Sequence, residues 1–296
     1  MDLSFLCPVG SVRKKASGKT ANEKPKSADA PLSVALKEAT ADAHSRSDNL
    51  IQAKSGLAFA DKQVWGGLVC QFGLMYGTLE EELRRNSSKP HLAPLYEPFL
   101  AKLRRWDAFQ KDVEYFLGTA PGTVGVPCSA TEAYQQRIRH VSAESPFLLV
   151  AYAQTMYMAL LSGGQILRRM SKAAMLLPDG QGGAIFEFEE IPTKTHRDFK
   201  LRFAAALDAL PIDASMKEQL IAEKQSIFPR NDAIVMEVVR EAPLSAYFSL
   251  VWPMLHASRY IALVGFIGIV AFGLAGGPSQ AASSVQDLLV EWDEIS

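Results

Sequence analysis

From residue 33 to about residue 240 the chain has no alternating apolar–polar run of any length; its apolar residues recur at three- and four-residue intervals. A half-buried strand needs a period of two and a helix a period of 3.6, so this pattern restricts the region to an all-α domain. Leu36, Ala39, Ala43 and His44 recur at helical spacing behind Ser33, which reads as an N-cap. Asp61 opens a second helix with Leu68, Phe72, Leu79 and Leu83 on its apolar stripe. Ser129 with Glu132, and Ser215 with Glu218, have the spacing of capping boxes. An apolar-rich stretch covers 146–175 and is interrupted by Gly163-Gly164. Helices over 199–210 and 216–228 follow, the second expected to stop at Pro229. The nearest approach to a strand is the short segment 184–188. With 48% hydrophobic residues the chain has enough apolar side chain to bury a core.

The flanks differ from this body. Residues 1–31 are rich in Lys, Ser, Ala, Gly and Pro without apolar period and read as a disordered leader. The helical domain is expected over 32–241, a juxtamembrane segment over 242–259, a membrane anchor over 260–277 and an acidic tail over 278–296. The anchor is an 18-residue run without a charge, apolar all round. A spanning helix needs about 17 to 25 such residues. Arg259 borders the run on the body side, while the tail after it has four acids and no basic residue. The positive-inside rule then leaves the body in the cytosol and the tail across the membrane. Net charge is −1 overall, with +3 in residues 1–34, −4 in residues 279–296 and a balanced middle. A balanced body lacks the basic face that phosphate backbones require, so no nucleic-acid partner is expected. Cys7, Cys70 and Cys128 are scattered and in no CxxC spacing, which speaks against a disulfide framework or a Cys-based zinc site.

Two features inside the body bear chemistry. His44 stands among the small residues Thr40, Ala41 and Ala43, which leave room for a flat group to approach. A lone histidine of this kind is either a packed core residue or an axial ligand. One imidazole suffices to hold haem iron, whereas zinc needs three or four ligands. The second feature is the pair Gly163-Gly164 after Ser162 within an apolar helix. Each interior glycine costs about 1 kcal/mol relative to alanine, so the pair needs a reason. Either two helices pack closely there, or the helix bends and lays its backbone against a ligand.

Taken together these segments resemble the haem oxygenases. The stretch from Leu36 to His44, LKEATADAH, resembles the family's proximal helix, and Tyr157 to Gln165, YMALLSGGQ, its kinked distal helix. Between them LEEELRRN at 79–86 and APLY at 93–96 fit the family pattern, as do Asp198-Phe199-Lys200 and Phe228 with Asn231. The resemblance runs in order over about 32–235, and the apolar tail matches the family's membrane-anchored eukaryotic members. It implies a multi-helical domain with haem b held between a proximal and a kinked distal helix. It further implies oxidative cleavage of haem, both substrate and cofactor, to biliverdin, CO and ferrous iron. That reaction uses O2, with electrons from NADPH through a cytochrome P450-type flavoprotein reductase. His44 would be the axial iron ligand, Lys37, Lys200 and Phe228 would contact haem, and Ser162, Gly163 and Gly164 would form the distal, reactive side. Haem, the reductase and membrane lipid would be the partners, and the endoplasmic reticulum the membrane.

The same resemblance marks departures. The family's distal aspartate, which orders the proton-delivering water, falls at Leu160. A glycine before it falls at Ala159, an arginine at Met156, the distal tyrosine of the second helix at Gly73, and the main propionate arginine at Ala204, with Arg202 two positions away. Three readings follow: an active oxygenase with an altered proton supply, a haem-binding protein with weakened or lost cleavage, and a tail-anchored scaffold that reuses the fold.

Overall fold

The computed structural model describes residues 30–243 apart from 121 and 124, and within 48–56 only the backbone. The chain separates into two units, Met1–Ala30 and Pro31–Ser296. The fold described is that of the second. The leader up to residue 29, the expected anchor and tail, and all but the first two residues of the juxtamembrane segment lie outside the described residues.

Ten α-helices follow one another: α1 (Leu32–Glu38), α2 (Ala41–Ala60), α3 (Lys62–Arg85), α4 (Ala93–Tyr96), α5 (Trp106–Leu117), α6 (Ser129–Glu144), α7 (Leu149–Ser162), α8 (Gly164–Met175), α9 (His196–Asp208) and α10 (Ala214–Arg240). No strand occurs among the described residues, and 184–186 form a single 3-10 turn. α3 lies at the centre, against α2, α5, α6, α7 and α10. Its approach to α5 depends on missing side chains. A Cβ on Gly77 would stand 2.6 Å from the Trp106 ring, and one on Gly73 would stand 3.0 Å from Phe109 Cβ. Tyr134, Tyr152, Tyr157, Phe186 and Phe203 are the largest fully buried side chains of the core.

The element boundaries correct several expectations. Asp61 does cap α3, accepting from the N–H groups of Gln63 and Val64. Ser33 does not cap α1. It lies inside the helix, and its N–H and hydroxyl both donate to the Asp208 carboxylate of α9. The capping box at Ser129 is absent as well: Ser129 donates its N–H and hydroxyl to Glu237 of α10. α10 starts at Asp213, which accepts from Met216 N–H, in place of the Ser215 box. Pro229 does not end α10, which continues to Arg240. Proline removes one N–H and crowds one turn. Val235, Ile234 and Val239 beyond it are buried, and that packing holds the remaining turns together. The first helix breaks at 39–40, where Thr40 has φ −114° and ψ 6° and its hydroxyl donates back to Leu36 O at 2.8 Å. Leu36 and Thr40 are buried while His44, past the break, is exposed. The three therefore do not share one buried face.

Among the described residues no single helix is long and apolar enough to cross a membrane. The bent pair from Pro146 to Met175 passes by length and composition, yet α7 is lined with buried residues of this core.

Candidate functional site

The expected break in the apolar helix is present: α7 and α8 meet at Gly163 with a bend of 49°. The two glycines play different parts. A Cβ on Gly163 would meet only Ala159 O, at 3.6 Å, and otherwise open space. A Cβ on Gly164, which is buried, would stand 3.0 Å from the Phe186 ring. Close packing thus explains Gly164, and an uncovered surface explains Gly163. The bend is braced by neighbouring segments. His196 is buried with Nδ1 3.2 Å from Leu161 O and Nε2 3.1 Å from Ile191 O, and Gln165 Nε2 donates to Phe186 O at 2.8 Å. Along α7 and α8 Ala159, Gly163, Ile166 and Met170 recur at helical spacing and stay exposed, Ile166 by 55% and Met170 by 43%. Among the described residues nothing covers this uncharged stripe, which leaves it open to a ligand.

The contrast between the glycines predicts opposite stability effects. Gly163→Ala is expected to raise the thermal midpoint, because the position is helical, unobstructed and gains up to about 1 kcal/mol in helix propensity. Gly164→Ala has to push Phe186 aside, and overpacking of about 1–3 kcal/mol outweighs the same gain. Thermal melts of the two variants should therefore move in opposite directions.

The other expected element is α2. This helix packs against α10 and α8, and α10 holds the segment around His44 on both sides. Gln225 Nε2 donates to Ala39 O at 2.8 Å before it, and Ser47 Oγ donates to Asp232 Oδ1 at 2.6 Å after it. The His44 ring meets the buried Phe228 edge-on, with centroids 5.8 Å apart. Lys200 of α9 donates from Nζ to Ser162 Oγ at 2.9 Å, which brings one expected cation to the end of α7. Lys37 is exposed on α1, and α1 packs against α9. Arg202 turns its guanidinium over Phe199, 6.0 Å from the ring centroid. Among the described residues no three His, Cys, Asp or Glu side chains converge to hold a bare metal ion.

Behind the bent helix lies a polar layer that the sequence did not disclose. Gly73 points its missing side chain at Phe109, so that position could not serve α7 in this chain. Tyr76, three residues on, does serve it: its hydroxyl donates to Met156 O at 2.8 Å. Met156 Sδ accepts weakly from Asn231 Nδ2 at 3.6 Å and Tyr134 Oη at 3.8 Å. Deeper in, the buried Glu223 carboxylate accepts from Arg137 and from Tyr152 Oη. Burial alone would raise this carboxyl, but the hydrogen bonds from Arg137 and Tyr152 and the charges of Arg137 and Arg230 together hold it below the usual range. Burial pushes the Tyr134, Tyr152 and Tyr76 phenols upward, so all three remain protonated donors. Such groups are invisible in sequence until the buried face of each helix is known, because a tyrosine or glutamate at a helical interval looks the same on either face.

Glu223 makes a testable stability statement. A depressed folded pKa contributes stability above the unfolded value of about 4.3, and that contribution is lost as pH falls through the folded value. Glu223→Ala, which strands Arg137 and Tyr152, is expected to cost on the order of 3 kcal/mol at neutral pH. The loss should shrink in acid, read from urea melts at pH 7 and at pH 3.

The family profile described as Heme oxygenase matches residues 30–237. A heme oxygenase of Rhodella violacea is 32% identical over 211 residues, covering 71% of this chain and 88% of its own. Heme oxygenase 2 of Oryctolagus cuniculus is 36% identical over 212 residues, 71% of this chain and 66% of its own. Among solved structures, a heme oxygenase from Leptospira interrogans superposes with a TM-score of 0.65 at 33% identity over 70% of this chain and 100% of its own. Heme oxygenase-1 of Synechocystis, solved in complex with heme, superposes with a TM-score of 0.66 at 30% identity over 79% of this chain and 100% of its own. The profile match over most of the chain and relatives above 30% identity over the same residues, with the all-helical fold, show that the chain belongs to the haem oxygenase family.

Proposed function

We propose that this chain binds haem b between α2 and the α7–α8 bend and cleaves it to biliverdin, CO and ferrous iron. O2 and electrons relayed from NADPH by a flavoprotein reductase complete the reaction. The observation that carries this reading is the uncovered Gly163 stripe beside Ser162 and Lys200, with His44 on the neighbouring helix braced by α10. Haem supplies the iron centre at which dioxygen is reduced. The chain supplies the surroundings. His44 would hold the iron through its imidazole, with Phe228 set edge-on against the ring. Gly163 keeps the distal wall free of side chains. Lys37 and Lys200 offer cations for the propionates, and binding would exchange the Lys200–Ser162 hydrogen bond for a charge-assisted one. Leu160 provides no polar group where the family has its distal aspartate, which supports slow turnover and keeps haem binding with weakened cleavage as the second reading. Titration of the full chain with haem, then addition of NADPH and reductase, tests both. A new haem absorption band followed by biliverdin supports the oxygenase, intact haem supports the second reading, and no band sinks both.

We also propose that 260–277 anchors the chain in the endoplasmic reticulum membrane with the helical body in the cytosol. The support is the uncharged run, Arg259 on its body side and the acidic tail beyond. Protease added to sealed microsomes should digest the body and spare a short C-terminal tag. Release by alkaline carbonate would remove the anchor from the proposal.

A further inference from the structure

The start of α9 grips the end of α7 at two neighbouring residues. Lys200 donates from Nζ to Ser162 Oγ. One turn earlier, the buried His196 sets Nδ1 3.2 Å from Leu161 O and Nε2 3.1 Å from Ile191 O. Both ring nitrogens therefore face carbonyl oxygens, which accept hydrogen bonds and never donate them. A neutral imidazole has one N–H and one bare lone pair. It serves one of these carbonyls and turns a lone pair on the other. Choosing the other tautomer only moves the misfit from one carbonyl to the other. The imidazolium has two N–H groups and serves both.

The surroundings of the ring pull in two directions. Leu161 lies in the last turn of α7, where carbonyls run out of intrahelical donors and the helix end favours a cation. Burial, and the place of His196 as the first residue of α9, oppose the charge. Among the described residues no acid pairs with the ring. Phe188 stands at 88° to it with centroids 5.8 Å apart, and the Arg105 guanidinium lies 4.1 Å over the Phe188 ring. The other titratable or charged groups on the packed elements are Tyr157 of α7 with Glu80 behind it, and the exposed Glu187, Glu189 and Glu190 before Ile191. Around His196 itself stand Lys194, Arg197, Asp198 and Lys200, while α1 and α4, also packed on α9, carry Lys37, Glu38 and Tyr96.

We infer that His196 is a positioning residue for the α7–α8 bend: its doubly protonated ring ties Leu161 to Ile191, and loss of one proton frees one of the two. Imidazole changes charge near neutral pH. The clamp is closed in mild acid and opens as pH rises. Its consequence for the site rests on the haem oxygenase reading. There the Lys200–Ser162 bond is given up to a propionate, which leaves the His196 ring as the remaining hydrogen bond from α9 to the bend among the described residues. Gly163, two residues past Leu161, then keeps its place beside haem only while the clamp is closed.

Three measurements on the full chain in detergent test this. Nitrogen-15 spectra of the haem-free, histidine-labelled chain, with His196→Gln used to find the signal, should show both ring nitrogens of His196 protonated at pH 6. One bare ring nitrogen there overturns the clamp. Hydrogen exchange of the amides of 163–167, corrected for the intrinsic effect of pH, should speed up about tenfold from pH 6 to pH 8.5, the worth of one charged hydrogen bond. In His196→Gln, which has one donor at every pH, it should stay level. Equal protection at both pH values in the unaltered chain overturns the clamp even if the glutamine variant fails to fold. In the haem-loaded chain, His196→Gln should release haem about tenfold faster than the unaltered protein at pH 6 and at nearly the same rate at pH 8.5. Protonation of His44 in acid acts on both proteins alike and cancels in that ratio. A ratio that ignores pH marks a merely structural role and overturns the positioning. A chain without a haem absorption band sinks the haem reading, and the first two measurements then decide the clamp.

Discussion

His44→Ala should lose the axial nitrogen and weaken haem binding by about 100-fold, or about 2.8 kcal/mol. The ferric absorption spectrum should shift and the iron–imidazole stretch should vanish from the resonance-Raman spectrum. The argument is geometric. His44 is exposed on α2, edge-on to Phe228, between two hydrogen bonds that tie its helix to α10. The rest of the slot does not depend on it, so haem should still enter, and added imidazole should recover much of the native spectrum by filling the vacated space. A variant with an unaltered iron–imidazole band would remove His44 from the site and direct attention to another nitrogen ligand.

The helical class and the bend at the glycine pair were legible because each leaves a local trace. Period 3.6 and two adjacent glycines are both read within a few positions. Apart from Asp61, the caps were not legible, for a physical reason. α5 and α6 have no side-chain cap of their own. Glu80 of α3 accepts from the N–H groups of Arg105 and Trp106, and Glu237 of α10 accepts from Ser129 and Ala130. A cap supplied by another helix, 25 residues away for Glu80 and 108 for Glu237, satisfies the same orphan donors as a local serine and leaves no local pattern. Pro229 misled for the opposite reason: its local cost is real, but the buried Ile234, Val235 and Val239 outweigh it. Tyr76 was overlooked at the distal helix because a shift of three residues, from Gly73 to Tyr76, turns the side chain from Phe109 to Met156. That turn is fixed by how α3 packs on α5.

Leu160→Asp should speed biliverdin formation at least tenfold with haem affinity little changed. General acid–base groups contribute about 100- to 10,000-fold where they are correctly placed, and one restored carboxylate recovers part of that range. Leu160 is half-buried at the end of α7, so a carboxylate there keeps some access to water, and the folding cost is limited to about 1–3 kcal/mol. The buried polar layer around Met156 already holds the positive charge of Arg230, which acts on Tyr134 and Tyr152. This makes a distinction between variants. Met156→Arg alone would set a second guanidinium close to that layer and should gain little. Leu160→Asp alone should gain most, and the double variant should exceed it only slightly. Single-turnover conversion followed at the biliverdin band, alongside haem titrations and thermal melts of each variant, separates rate from binding and stability. If Leu160→Asp binds haem and folds as the unaltered chain does yet turns over no faster, the proton supply does not pass through position 160, and Ser162 and Gln165 become the next residues to exchange.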